Sequence, residues 1–334
     1  MKPLFRGGAE SGYSHPMEFV RATAFLIAFA SAGAALLSLG GAVSERLDVL
    51  THFTPFYFAG GVLALVLVVA SRAGITPTLL AAVAIVVSGA IMAPEFLAAA
   101  RRPSAATSGK PLKLIQFNLW ARNTDPEGTA RWIEGEDADI VVVEEAAGAG
   151  ARVVQAIGGR YPYRTPCRVD FDCSTLILAK TPPTASGDLW GADGKGLSGA
   201  WATFGDGADA FTLVAAHFTW PFPAGPQRAQ SRRLADFLNR FGKASLIVAG
   251  DFNSTPWSFA LRRQDARFGL ARLTRAIFTW PAARFTRWRL WSPMAFLPLD
   301  HVYAGGAWRA VSVARGPRLG SDHYPVVVVL KHMP

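Results

Sequence analysis

The chain has 334 residues, two cysteines and 51% hydrophobic residues, yet only 17% are charged and the net charge is +10. Soluble domains carry about 25% charged residues, so a chain this apolar is seldom also this basic. The composition excludes intrinsic disorder, which lacks apolar surface to bury. It also excludes a small disulfide-stapled scaffold, which needs many more cysteines. At about 150 residues per domain, the length suggests two units.

The apolar excess sits at the start of the chain. Only 13 charged residues fall in the first 110, against 45 in the remaining 224. Three windows, residues 22–44, 49–71 and 73–94, contain no charge at all. Each reaches the roughly 20 residues that a helix needs to cross a hydrocarbon core. Buried core helices would show a polar face, and none is visible here. A cleaved signal peptide is too short for the first window and does not explain the next two. The sequence therefore predicts a membrane domain over residues 1–100 with three transmembrane helices.

Lys2, Arg6 and Arg21 precede the first window, and Arg72 lies between the second and third. By the positive-inside rule this puts the N-terminus in the cytoplasm. Three spans then carry the rest of the chain to the periplasmic or extracellular side of an inner or cell membrane. Arg101 and Arg102 run against that orientation. Residues 101–111 (RRPSAATSGKP) read as a linker, rich in Pro, Gly and Ser and without periodicity.

From residue 112 to 334 the pattern changes to short apolar runs split by Gly, Pro and Asp. Strands are expected over 112–118, 140–143, 175–179, 201–204, 211–217, 245–249, 299–303 and 326–330. The GDGADA stretch at 205–210 joins two of these as a hairpin. Helices are expected over 129–136, 149–158, 227–241 and 257–275. Alternating strands and helices with an antiparallel hairpin indicate an α/β or α+β sandwich.

Polar residues fall at the strand tips. Asn118 ends the first strand, Glu144 and Glu145 the second, and His217 a later one. Asp251 and Asn253 follow 245–250, Asp300 and His301 sit within 299–303, and Asp322 and His323 precede the last strand. One acidic residue after a strand is usually a turn former or a helix cap. Six such ends in one domain point to a shared site at one sheet edge. Carboxylates and amide oxygens, with no cysteine cluster and no His pair at zinc spacing, suit a hard divalent ion, Mg²⁺ or Mn²⁺. Imidazoles beside them can bind or protonate phosphate oxygens, and a carboxylate next to a His fixes its tautomer. Together these describe metal-assisted displacement at phosphorus.

GDFNSTP (250–256) and GSDHYPV (320–326) resemble motifs of the endonuclease/exonuclease/phosphatase superfamily. QFNLW (116–120), ADIVVVEEA (138–146), AAHFTWP (215–221) and LDHVY (299–303) stand in the order that superfamily shows. The resemblance covers about 112–330. It implies a four-layer α/β/β/α sandwich with its site at one edge of the paired sheets. It also implies that Asn118 and Glu145 hold the metal, with Glu144 the alternative to Glu145, and that Asp322 completes or supports that site. Asp251 would orient or deprotonate the attacking water. Asn253 would hold a non-bridging phosphate oxygen. His323 would contact the scissile phosphate with Asp300 as its partner, and His217 would stabilise charge in the transition state. His301, more often aromatic or hydrophobic in relatives, reads as structural. Repair nucleases carry a Tyr where this chain has 172–175 (DCST), which weakens an inference of abasic-site cleavage.

The function implied is a membrane-anchored, divalent-metal-dependent phosphoesterase acting on phosphodiesters or phosphomonoesters, nuclease-like. Its partner is a phosphate-ester substrate, nucleic acid or phospholipid headgroup, and no protein partner is expected. A phospholipid or sphingolipid phosphodiesterase is the first alternative. A non-catalytic membrane receptor or scaffold for anionic ligands is an alternative of another class, but it predicts erosion of site positions that are all filled here. Three further features are weaker. Cys167 and Cys173 would form a disulfide if the domain is exported. Eight Arg over 262–289, with Trp280 and Trp288 among them, suggest an anionic partner, although 27 Arg against 7 Lys reflects a general preference for Arg. Trp220 to Pro223 would form an aromatic lip near His217.

Overall fold

The computed structural model describes residues 14–100, 111–166, 174–189, 197–282, 284–285, 290–292 and 294–333. Cys167, Cys173 and almost all of the expected linker lie outside the described residues. The chain divides into two compact units, Met1–Ala93 and Pro94–Pro334.

The first unit holds α1 (Ser14–Leu39), α2 (Glu45–Asp48), α3 (Thr54–Ser71) and most of α4 (Ile75–Ala100). Three stretches are long and apolar enough to cross a membrane: Pro16–Ala42, Glu45–Ser71 and Ile75–Ala100. Their packing is inverted relative to a soluble bundle. Ala28, Ala64 and Ala81 form the interior, while Phe19, Leu26, Phe29, Val69 and Val86 point outward. Gly61 explains the close approach of α3 to α4, because a Cβ there would meet Ala84 Cβ at 2.9 Å and Ala81 O at 3.1 Å. Small residues inside and large apolar ones outside suit helices that associate by backbone approach in an apolar solvent.

The second unit contains two six-stranded sheets. In chain order its elements are β1 (Pro111–Asn118), α5 (Pro126–Glu136), β2 (Ile140–Glu144), α6 (Gly148–Ala156), β3 (Tyr163–Arg164) and β4 (Leu176–Ala179). Then come β5 (Ala185–Asp188), β6 (Ser198–Phe204), β7 (Phe211–His217), α7 (Pro226–Leu238), β8 (Leu246–Asp251) and α8 (Phe259–Phe268). The last are β9 (Ala271–Arg272), β10 (Arg284–Phe285), β11 (Leu290–Trp291), β12 (Asp300–Ala304), β13 (Trp308–Arg315) and β14 (Val326–His332). The first sheet runs β13-β14-β1-β2-β4-β3 and the second β5-β6-β7-β8-β12-β9, with β10 and β11 as a separate hairpin.

Strand alternation builds the layers. Leu114, Ile140, Val142 and Ile177 face Leu213, Ala215, Ile247, Ala249 and Val302 across the gap between the sheets. The opposite faces bury Ile115, Phe117, Val141 and Val143 under α5 and α6, and Val214, Val248 and Tyr303 under α7 and α8. This is the expected α/β/β/α sandwich. The hairpin at 205–210 joins β6 to β7 with Phe204 opposite Phe211. The long helix expected over 257–275 is shorter. Gly269, at φ 63°, caps α8 in the left-handed conformation, and the chain turns into β9. Strands β5 and β13 had no clear sequence pattern. Both lie at sheet edges; β5 is mostly half-buried and β13 is exposed along much of its length.

Candidate active site

The gap between the sheets is apolar along its length and polar at one end. On β1 the inward series is Leu114, Gln116, Asn118, and on β2 it is Ile140, Val142, Glu144. On β8 it is Ile247, Ala249, Asp251. Parallel pairing of β1 with β2 sets Asn118 opposite Glu144. Antiparallel pairing of β12 with β8 sets Asp300 opposite Asp251. Val326, the first residue of β14, pairs with Gln116, so the Asp322–His323 turn arrives beside Asn118. Register alone therefore gathers residues separated by about 200 positions.

Two side-chain amides bridge the sheets. Gln116 Nε2 donates to Asp300 Oδ1 at 2.8 Å and to Glu144 Oε2 at 3.0 Å. Asn118 Nδ2 donates to Asp251 Oδ2 at 3.1 Å and to Glu145 Oε1 at 3.1 Å. Asp251 Oδ1 accepts the Asn253 backbone N–H at 2.8 Å, and Asn253 Nδ2 donates to Phe218 O at 2.8 Å. Ser321 Oγ donates to Asn118 O at 2.6 Å and accepts the His323 N–H at 3.0 Å.

Backbone conformation is spent on this placement. Glu145 (φ 51°) and Asn253 (φ 46°) both occupy the left-handed region. Such residues cost about 1–3 kcal/mol each and persist only where surroundings dictate them. Gly250 has a different reason: any Cβ there would collide with the Ala216 carbonyl of β7. The glycine of GDFN thus lets β8 run tight against β7 just before Asp251.

A carboxylate–imidazole array is the centre of the site. His323 Nδ1 lies 2.8 Å from Asp300 Oδ2, and both residues are buried. On its other side His323 Nε2 is 3.6 Å from Asp251 Oδ2, and His217 Nε2 is 3.8 Å from the same oxygen. Burial works against a charged imidazole at His323, but the Asp300 and Asp251 carboxylates outweigh it and raise it well above its ordinary range. Burial works the other way on Asp300, where His323 prevails and holds the carboxyl below its usual range. Asp251 is pushed up to about 6, by burial first and then by Asp300, against the pull of His323 and His217.

Glu144 and Glu145 have different surroundings. Glu144 is fully buried between the sheets, and burial, with Asp300 and Asp251 nearby, pushes its carboxyl well up. Glu145 turns towards Asn118, and its Oε2 accepts the Ala121 N–H at 3.3 Å. Asp322 is raised by burial and then by the negative charge of Glu145, against the pull of His323. Asp322 Oδ1 is buried with no hydrogen-bond partner. Asp251, Asp300 and His323 each present a ligand atom within 4.8 Å of the others. His301 points away from this array, into the layer under α8. Its Nε2 lies 2.9 Å from Ser254 O, and burial takes it down to about 4.

Gln116, Ser321 and Thr279 were not singled out from sequence. Gln116 lies two residues before Asn118 on the same strand, so the period-2 pattern could have flagged it. Thr279 Oγ1 accepts the Leu299 N–H at 3.2 Å, next to Asp300, and nothing in its sequence context signals this. Trp220 and Phe222 are 60% and 76% exposed, and Trp220 packs edge-on against Trp280 at 6.2 Å. Within the Arg-rich stretch, Arg272 is buried and paired with Glu95, so the stretch is not one uniform basic surface.

Residues 115–323, more than half of the chain, match the sequence profile of the Endonuclease/Exonuclease/phosphatase family. The chain belongs to this family. Its members are hydrolases of phosphoester bonds and use divalent metal ions. No curated protein matches in a sequence comparison. Among solved structures, an endonuclease/exonuclease/phosphatase family protein from Bacteroides thetaiotaomicron is similar at TM-score 0.53 and 16% identity, covering 68% of this chain and all of that one (100%). D. rerio TDP2, complexed with a single-strand DNA product, is similar at TM-score 0.53 and 14% identity, over 66% of this chain and 99% of that one. A mutant of beta toxin from Staphylococcus aureus with bound magnesium ions gives TM-score 0.50 and 14% identity, over 67% and 100%. At these identities the likeness is one of fold.

Proposed function

We propose that the chain is a membrane-anchored, divalent-metal-dependent phosphoesterase that hydrolyses phosphodiester or phosphomonoester bonds in a nuclease-like manner. The observation that carries this reading is Asp251 Oδ2 with an imidazole on each side, one of them held by Asp300. A buried carboxylate raised towards neutrality is suited to orient a water and accept its proton. His323, kept cationic by Asp300, and His217 would face the non-bridging oxygens and offset the charge that builds there. Asn253, held rigid by Phe218 O, would position the phosphate. The donor set of Asn118, Glu145 and Asp322 is all oxygen, and the unpartnered Asp322 Oδ1 fits a hard cation such as Mg²⁺ or Mn²⁺. That ion, when bound, would polarise the phosphoryl group and stabilise the departing oxygen.

The inverted packing of the N-terminal helices supports anchoring, and Lys2, Arg6 and Arg21 before the first span support a cytoplasmic N-terminus with the catalytic unit on the periplasmic or extracellular side. Substrates would be nucleic acids or phospholipid headgroups. The exposed Trp220 and Phe222 near His217 favour a phospholipid or sphingolipid phosphodiesterase as the second reading. The test is a Mg²⁺-dependent hydrolysis panel with the full chain in detergent, comparing DNA, RNA, phosphatidyl lipids, sphingomyelin and inositol phosphates. Asp251→Ala and His323→Ala should each abolish turnover while leaving the fold intact. Full activity in both folded variants would sink the assignment.

A further inference from the structure

We propose that Gln116 is a positioning residue of the site: its side-chain amide reaches across the gap between the sheets and holds Asp300 by Oδ1, so that Oδ2 stays on His323. The inference rests on the phosphoesterase reading above and assigns a task to a residue to which that reading gives none.

Gln116 sits where an apolar side chain is expected. It is completely buried, on the inward face of β1 between Leu114 and Asn118. Register sets it beside Val142 of β2 and Val326 of β14, both of them core residues. Its Oε1 has no hydrogen-bond partner. A buried polar group left unsatisfied is destabilising, and a methionine of similar shape would fill the space without that defect. Packing therefore does not account for an amide here, whereas its two N–H bonds do. Nε2 donates to Asp300 Oδ1 at 2.8 Å and to Glu144 Oε2 at 3.0 Å. The opposite flip of the amide would set Oε1 against two carboxyl groups and lose both bonds. Glu144 stands on the neighbouring strand of the same sheet and fixes the plane of the amide. The other hydrogen is then aimed at Asp300 on β12, in the opposite sheet.

Asp300 is thus held at both oxygens. Oδ1 accepts from Gln116, and Oδ2 lies 2.8 Å from His323 Nδ1. This fixes the rotation of the carboxylate and, through it, the imidazole whose Nε2 lies 3.6 Å from Asp251 Oδ2. Without the amide, Asp300 could rotate about its own side chain and His323 would follow it. A misplacement of about 1 Å in a reacting group lowers rates by roughly 10²-fold. Gln116 itself is fully buried and acts only through Asp300.

Gln116→Met keeps the shape of the side chain and removes both donors. In the full chain in detergent with Mg²⁺, kcat for bis(p-nitrophenyl) phosphate should fall on the order of 10²-fold, with KM little changed. The low-field proton resonance of His323 Nδ1, identified by its loss in His323→Ala, should move or broaden in the same variant. An unchanged kcat, or an unchanged His323 resonance, in a folded Gln116→Met chain would overturn the proposal. A second measurement does not depend on that variant folding. With ¹⁵N-labelled glutamine, one side-chain amide of the parent should exchange slowly with solvent and shift in Asp300→Asn. No shift of any slowly exchanging glutamine amide would equally overturn it. A parent that hydrolyses none of the panel would instead count against the functional reading, because both resonance measurements read the positioning role without turnover.

Discussion

The second unit buries two acid–base clusters of similar charge and opposite character. Glu95 uses both oxygens fully. Oε1 accepts from Arg272 Nη1 at 3.0 Å and Ala276 N at 2.8 Å, and Oε2 accepts from Arg272 Nη2 at 2.8 Å and Arg275 Nη1 at 3.2 Å. Arg272 continues to Asp265, which accepts the Tyr303 hydroxyl at 2.7 Å. Its partners raise Arg272 even further above its already high range, although burial opposes them. Each acid in that cluster faces a guanidinium. The Asp300–His323 pair is also buried, but it leaves His323 Nε2 3.6 Å from Asp251 and an orphaned oxygen on Asp322 nearby. Burial of charge is common to both. What separates them is satisfaction: the acids of the first cluster face guanidinium groups, whereas Asp322 Oδ1 beside the second is left without a partner.

That contrast can be broken by experiment. The largest effect should come from Asp300→Asn, which preserves shape but removes the charge that keeps His323 cationic. Turnover should fall on the order of 10²-fold or more, within the range for an acid–base group, with modest loss of stability. Wild-type turnover in this variant would show that the pair is only a strut. Glu95→Ala should do the reverse. Removing one partner of a buried ion pair costs about 3–5 kcal/mol, read by chemical denaturation, while kcat of the folded fraction stays unchanged. A stable but inactive Glu95→Ala chain would erase the distinction.

The smallest effect should come from Glu144→Gln. Burial holds a proton on Glu144 well above the ordinary carboxylate range. The folded state therefore keeps a proton that the unfolded chain releases above about pH 4–5. By linkage, Glu144 makes the fold less stable as pH rises through that window. Glutamine removes the penalty, so the stability of Glu144→Gln relative to the parent should grow from about pH 5 to about pH 8 in EDTA. A difference independent of pH would show that Glu144 carries its charge in the fold.

Much of the fold was legible in local pattern. Strands β1, β2, β7, β8 and β14 are apolar runs with period-2 facing, and the site residues are the polar ends of those runs. Strands β5 and β13 escaped because edge strands have little apolar surface to bury and so carry no pattern. Helix α8 was read too long because the residues after Gly269 remain compatible with a helix, and only the left-handed cap ends it. The terminal turn of α4 reads as the end of an apolar helix. Only the structure brings Glu95 to Arg272, 177 positions on.

By itself the sequence determined the residue types of the site and the apolar character of the N-terminal helices. Metal-ligand chemistry and hydrophobicity belong to side chains and need no partner to be read. Tertiary structure alone decided that Glu95 is locked between Arg272 and Arg275 while Asp251 lies between two imidazoles, and that Glu144 is buried against Gln116 while Glu145 turns towards Asn118. Each of those depends on what surrounds a group in three dimensions, and desolvation and hydrogen bonding act through space without regard to distance along the chain.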